Sequence, residues 1–270
     1  MIMHDEINKM FDLSGKVAVI TGGARHLGYD AACILAAAGC AVAITSRRLE
    51  QAQKSAEQIR RDFSVEVLPQ QLDQIEYQEV AKLARTVNEW KGSVDILVNN
   101  AGGEFGESAR RLLERDPHDI AGMIALNLTG VAYCCREFGQ TMVKQRSGKI
   151  INIASIAGML GRDRRMYERT GLKGQPVDYA AAKAGVIGLT MDLAGYLSPM
   201  GVYVNAISPG GFDQGEPERF VKEYSDRTPM GRMGRYGIDL KGAILFLASP
   251  ASDYVTGTNL VVDGGFSIWH

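Results

Sequence analysis

No stretch of this chain is apolar for long enough to cross a bilayer. The longest apolar run, Ala31 to Ile44, has 14 residues with Gly39 inside it, against roughly 18–20 for a spanning helix. A secretory leader is missing too, because Met1-Ile2-Met3-His4-Asp5-Glu6 carries acids where a basic start and a long apolar core belong. Charge of one sign is also lacking: Lys plus Arg number 30 and Asp plus Glu 31, leaving a formal net charge of −1. No basic field is available to hold nucleic acid or an anionic membrane. The four cysteines, with Cys134 and Cys135 adjacent and Cys33 and Cys40 in a helix-then-strand run, have neither the spacing of a disulfide framework nor that of a metal site. There is no linker, low-complexity tract or fixed-period repeat to mark a domain boundary. These absences leave a soluble, cytoplasmic chain, one domain over residues 1–270, whose expected partners are small molecules and copies of itself.

What is present is an alternation of short β-branched runs with longer amphipathic segments, in a chain of 270 residues that is 46% apolar. Strands are expected at Val17–Thr21, Ala41–Thr45, Val65–Gln70, Ile96–Asn99, Lys149–Ile153, Val202–Ile207 and Asn259–Val262. Helices are expected between them, for example from Tyr29 to Ala38 and from Leu49 to Asp62. Such alternation builds a parallel sheet with helices on both faces. The segment from Ala157 to Pro176 departs from it. It holds four glycines and Arg162, Arg164, Arg165 and Arg169, and reads as a loop or small lid inserted beside a site.

Three motifs carry chemistry. In Val19-Ile20-Thr21-Gly22-Gly23-Ala24-Arg25-His26-Leu27-Gly28, a strand runs into a glycine turn and a helix start, where free N–H groups and a partial positive charge can meet a pyrophosphate. After the second strand, Ser46-Arg47-Arg48 lacks the acid that would bind a ribose 2′-hydroxyl and offers forked donors suited to a 2′-phosphate. In Tyr179-Ala180-Ala181-Ala182-Lys183, the phenol and the ammonium share one helix face, so the cation can favour phenolate. Upstream, Ser155 ends a strand, the place where ligands bind in a parallel sheet. Each motif has a plainer counterpart: an ordinary βα turn, two solvated arginines, a helix pair, a cap.

The set, in order and spanning about Gly15 to Phe266, resembles the short-chain dehydrogenase/reductase family. Thr21, Gly22 and Gly28 match its Thr-Gly-x-x-x-Gly-x-Gly turn, with His26 where the middle glycine belongs. Asn99-Asn100-Ala101-Gly102, Asn127-Leu128-Thr129-Gly130, Pro209-Gly210 and Asp263-Gly264-Gly265 match later elements. The resemblance implies a doubly wound Rossmann fold with a seven-stranded parallel sheet, and an NADP(H)-dependent enzyme interconverting a carbonyl and an alcohol. It implies a catalytic tetrad of Asn127, Ser155, Tyr179 and Lys183, with Asn127 organising a water relay. Coenzyme contacts are implied at Gly22, Arg25, His26, Leu27, Gly28, Ser46, Arg47, Arg48, Asp73, Asn100, Ala101, Gly102, Pro209 and Gly210, and at Tyr179 and Lys183. A homotetramer or dimer is implied as well. Ser155 and Tyr179 are 24 positions apart, where relatives have about a dozen, which marks the inserted segment as a loop next to the chemistry. Its arginines suggest an anionic substrate, and similarity to gluconate 5-dehydrogenase-like and sugar-acid reductases suggests a sugar acid or polyol. The alternatives are a 3-oxoacyl-thioester reductase and a nucleotide-binding regulator without turnover.

Overall fold

The computed structural model describes residues 4–269. Met1 to Met3, on which part of the leader reading rests, and His270 lie outside the described residues. Seven parallel strands form one sheet: β1 (Val17–Ile20), β2 (Ala41–Ser46), β3 (Val67–Gln71), β4 (Ile96–Asn99), β5 (Gly148–Ile153), β6 (Val202–Pro209) and β7 (Asn259–Val262), in the order β3-β2-β1-β4-β5-β6-β7. The helices are α1 (Asp5–Phe11), α2 (His26–Ala37), α3 (Leu49–Phe63), α4 (Tyr77–Lys91), α5 (Pro117–Ile124), α6 (Gly130–Gln145), α7 (Arg165–Thr170), α8 (Val177–Leu197), α9 (Glu218–Ser225) and α10 (Lys241–Ala248).

The two faces of the sheet explain the strand sequences. Ala18 and Ile20 of β1 pack with α2, α3 and α10 through Leu35, Ile59 and Ile244. Val17 and Val19 pack with α4, α6 and α8 through Val87, Phe138 and Val186. A strand buried on both sides must be apolar at every position, and all four residues of β1 are buried. All four cysteines are free and buried within these layers. The fold is the single-domain, doubly wound α/β arrangement expected from the sequence. Strand order reverses between β1 and β4, and a crevice opens there at the carboxyl ends of the strands.

Several boundaries differ from the sequence reading, most by a single residue, and the larger shifts are at the starts of β3 and α2 and at the end of β6, which runs on to Pro209. β3 starts at Val67 because pairing with β2 begins at Val42 opposite Val67. α2 starts at His26, ahead of the apolar run. The 157–176 segment is not irregular throughout: a 3-10 turn at Ile156–Gly158 is followed by α7, whose Met166 packs with Phe220, Tyr224 and Met233. The insertion is thus attached to α9 and forms a wall over the crevice.

Candidate active site

The crevice is a cleft of about 1580 Å³, lined by residues from the glycine turn, from the ends of β2, β4, β5 and β6, and from the insertion. At one end, Gly22 has φ of 63° and Gly28 has no room for a side chain, since a Cβ there would lie 2.3 Å from the Asn100 amide nitrogen and from the Gly22 carbonyl oxygen. Asn100 fixes that approach. Its Nδ2 donates to the carbonyls of Thr21 and Gly22, while the N–H groups of Asn100 and Ala101 both donate to Thr21 Oγ1. No side chain caps α2, so its first N–H groups remain available to an anion in the cleft. This cradle fits a dinucleotide pyrophosphate.

His26 adopts φ of 50°, the left-handed conformation a glycine would take at no steric cost. Its ring lies 5.4 Å from that of Tyr236, and burial and Arg25 hold its pKa below the ordinary value. Leu27 and Arg25 line the same end of the cleft. Beyond β2, Ser46 accepts a hydrogen bond from the Arg48 N–H and contacts Gln51. Arg47 and Arg48 are exposed on the cleft, and among the described residues neither enters an ion pair. Asp73 lines the cleft and accepts from the Ile75 N–H. Pro209 and Gly210 form part of the wall at the end of β6.

At the other end, Ser155 caps the 3-10 turn after β5 by accepting from the Ala157 N–H at 3.1 Å. That turn packs directly on α8, because a Cβ on Gly158 would lie 2.6 Å from the backbone at Lys183 and Ala184. Tyr179, in the first turns of α8, lines the cleft together with Ser155 and Gln175. Lys183 is buried, its Nζ 5.7 Å from the Tyr179 ring centroid and donating to the Ile153 carbonyl at 2.7 Å. Burial brings its pKa down to about 8.

The electrostatics at Tyr179 differ from the sequence expectation. Burial pushes the phenol above its ordinary range, and the opposing influences are Ser155, Arg162 and Gln175, with Glu104 adding to the rise. Lys183 donates its ammonium to the Ile153 carbonyl while lying 5.7 Å from the Tyr179 ring centroid, and Arg162, from the insertion, is a second cation that favours phenolate.

Asn127 is fully buried on a π-helical turn (Ala125–Thr129) between α5 and α6, behind the cleft wall. Such turns recur at functional sites. Its amide donates to the carbonyls of Gly103 and Met123, and its oxygen accepts from the Gly103 N–H. Gly102 must lack a side chain, since its Cβ would lie 2.7 Å from that oxygen and 3.6 Å from Lys183 Nζ. Asn127 and Lys183 therefore flank one small space.

The four inserted arginines divide. Arg165 pairs with Asp163 and Arg169 with Glu223 of α9, on the surface. Arg162 and Arg164 border a side chamber of about 370 Å³ opposite Arg110, and Arg162 and Arg110 also line the main cleft. Sequence reasoning missed Glu104, Arg110, Arg115 and Gln175. Arg115 and Asp178 form a fully buried ion pair at 2.8 Å, and the remaining Arg115 donors hold the carbonyls of Phe105 and Ala109. The segment carrying Glu104 and Arg110 is thereby tied to the residue before Tyr179. No local spacing marks this pair, whose members are 63 positions apart.

Comparison with known proteins shows the family. The profile of the short chain dehydrogenases matches residues 16–223. The 3-oxoacyl-(acyl-carrier-protein) reductase of Aquifex aeolicus is 33% identical over 257 residues, covering 94% of this chain and 98% of that protein. An NADP-dependent mannitol dehydrogenase of Hypocrea jecorina is 34% identical over 266 residues, covering 96% and 94%. Among solved structures, a gluconate 5-dehydrogenase from Burkholderia cenocepacia in complex with NADP and tartrate superposes with a TM-score of 0.86 at 32% identity, covering 97% of this chain and 98% of that one.

Proposed function

The chain belongs to the short-chain dehydrogenase family, and from that premise we propose that it is an NADP(H)-dependent oxidoreductase that interconverts a carbonyl and a secondary alcohol on a small polar substrate, a sugar acid or polyol. The observation that carries this reading is one cleft with Ser155 and Tyr179 at one end and two unpaired arginines, Arg47 and Arg48, at the other. The missing acid and those arginines favour the phosphorylated coenzyme. The relatives named with NADP point the same way.

The nicotinamide coenzyme, when bound, supplies or accepts the hydride. Ser155 donates a hydrogen bond to the substrate oxygen. Tyr179 gives that oxygen a proton in reduction and removes one in oxidation. Lys183 holds the nicotinamide ribose, and Asn127 keeps the space behind Gly102 open for a water between itself and Lys183. Arg162 and Arg164 give the substrate end a positive rim that suits a carboxylate.

The test is reduction of NADP+ and NAD+ by gluconate, mannitol and cyclohexanol, and oxidation of NADPH and NADH by short 3-oxoacyl thioesters, with Tyr179→Phe beside the wild type. The expected result is NADP-linked turnover of a polyhydroxylated substrate and a loss of about 10²–10⁴-fold in the variant. Preferred reduction of 3-oxoacyl thioesters would replace the substrate class. A variant as active as wild type would remove Tyr179 from the mechanism, and coenzyme binding with no turnover of any substrate would favour a regulator.

A further inference from the structure

Arg162 is the inserted group that reaches nearest the chemistry. It is half-buried, its Nη1 donates to Gln175 Oε1 at 3.2 Å, and its Nη2 donates to the Pro176 carbonyl at 2.9 Å. Gln175 and Tyr179 line the same cleft, and Pro176 is the N-cap of α8, three residues before Tyr179. One guanidinium therefore braces both the Gln175 amide and the start of the helix that carries Tyr179. We propose that Arg162 is a positioning residue for Tyr179: it holds Gln175 against the phenol and lends its charge to the phenolate, so that the insertion sets the pH at which Tyr179 exchanges its proton. This rests on the reading of Tyr179 as the acid–base group.

The surrounding charges support the assignment. Facing Tyr179 are Ser155, Gln175, Arg162 and Glu104, with Lys183 one turn along the helix. Glu104 is paired with Arg110 at 2.7 Å, which blunts its opposition. Lys183 donates to the Ile153 carbonyl, with its Nζ 5.7 Å from the Tyr179 ring centroid, so Arg162 acts beside it as a second cation. Facing Arg162 are Tyr167, Arg164, Tyr179 and Asp178. Asp178 is held by Arg115, and among the described residues no carboxylate forms an ion pair with Arg162. Its charge therefore reaches the phenol uncancelled. Burial lowers the guanidinium pKa, yet Arg remains protonated across the working range.

The experiment measures kcat and KM against pH in both directions for wild type, Arg162→Met, Arg162→Lys and Arg165→Met. The substrate is whichever neutral alcohol, mannitol or cyclohexanol, turns over faster, with its ketone for the reverse direction. A neutral probe excludes loss of anion binding as the cause. A parallel ultraviolet titration of phenolate, each protein against its own Tyr179→Phe double, reads the same group without turnover. Removing the charge moves the Tyr179 limb upward by about one pH unit, so that oxidation at pH 7 falls about tenfold through kcat with little change in KM. Arg162→Lys restores most of the midpoint, and Arg165→Met, which deletes a charge from the same segment away from Tyr179, leaves it in place. If Arg162→Met does not fold, Gln175→Leu breaks the same link and moves the limb in the same direction. An unmoved limb and an unmoved phenolate titration in Arg162→Met, with Tyr179→Phe still inactive, overturn this proposal and leave the enzymatic reading standing. Retained turnover in Tyr179→Phe overturns both.

Discussion

Lys183 makes a prediction about stability that its place in the site sharpens. Its ammonium is buried, with the Ile153 carbonyl as its hydrogen-bond partner, and its pKa falls from 10.5 to about 8. Between those two values the unfolded chain binds more protons than the folded one, so the contribution of this group to stability rises with pH. It is fully present above 10.5 and is lost as pH falls through 8. From pH 7 to pH 9 the charged fraction in the folded state drops from about nine-tenths to about one-tenth, which corresponds to about 1.3 kcal/mol. The buried thiols act in the opposite sense, because burial raises their pKa and the unfolded chain loses those protons first. The comparison must therefore be a difference: urea unfolding of wild type and Lys183→Met without coenzyme, from pH 7 to pH 9. The thiols cancel, and the lost bond to Ile153 adds only a constant. The wild type should gain about 1.3 kcal/mol on the variant across that interval. A gap that stays constant would mean that Lys183 keeps its proton to pH 9 and that burial does not govern it.

The remaining expectations concern the coenzyme end and the brace behind the site. Arg47→Ala with Arg48→Ala should weaken NADPH by about 30-fold, taking roughly 1 kcal/mol for each exposed charge facing a phosphate, and should change NADH less than about threefold; fluorescence titration of both coenzymes at two salt concentrations checks it, and parallel losses would refute it. Gly28→Ala puts a methyl group 2.3 Å from Asn100 and Gly22 and should lower stability by about 1–3 kcal/mol along with affinity for both coenzymes, read by thermal unfolding and titration. Arg115→Met strands Asp178 as a buried, unpaired carboxylate and should cost about 3–5 kcal/mol, whereas Arg115→Met with Asp178→Leu should recover much of that loss in urea unfolding.

What could be read from the sequence was what adjacent residues determine. β1 and β4 were legible because a strand covered on both faces is a continuous apolar run, and both are fully buried. Tyr179 and Lys183 share a helix face by spacing alone, and Ser155 stands where a strand must end. The glycine turn was legible up to its exception: the histidine in the middle glycine's place left the backbone there open, and His26 takes the positive φ a glycine would. β3 was misjudged by two residues because Val65 has the composition of a strand but no opposite partner, and pairing, not propensity, starts the element.

What could not be read was set by contacts between distant segments. α7 has only six residues and one buried side chain, Met166, so its helical pattern is too short to stand out; its packing partner, α9, begins some fifty positions later. The same distance hid the fate of the inserted arginines. Arg169 finds Glu223, and Arg165 finds Asp163 only because the chain bends there into α7. A sequence shows four equal positive charges, and folding makes them unequal by neutralising two and turning Arg162 inward onto Gln175. The inference about Tyr179 changed for the same reason. Spacing places Lys183 beside the phenol, where its ammonium lies 5.7 Å from the ring centroid and also holds a carbonyl of β5, but a second cation arrives from a segment that helical periodicity cannot connect to Tyr179.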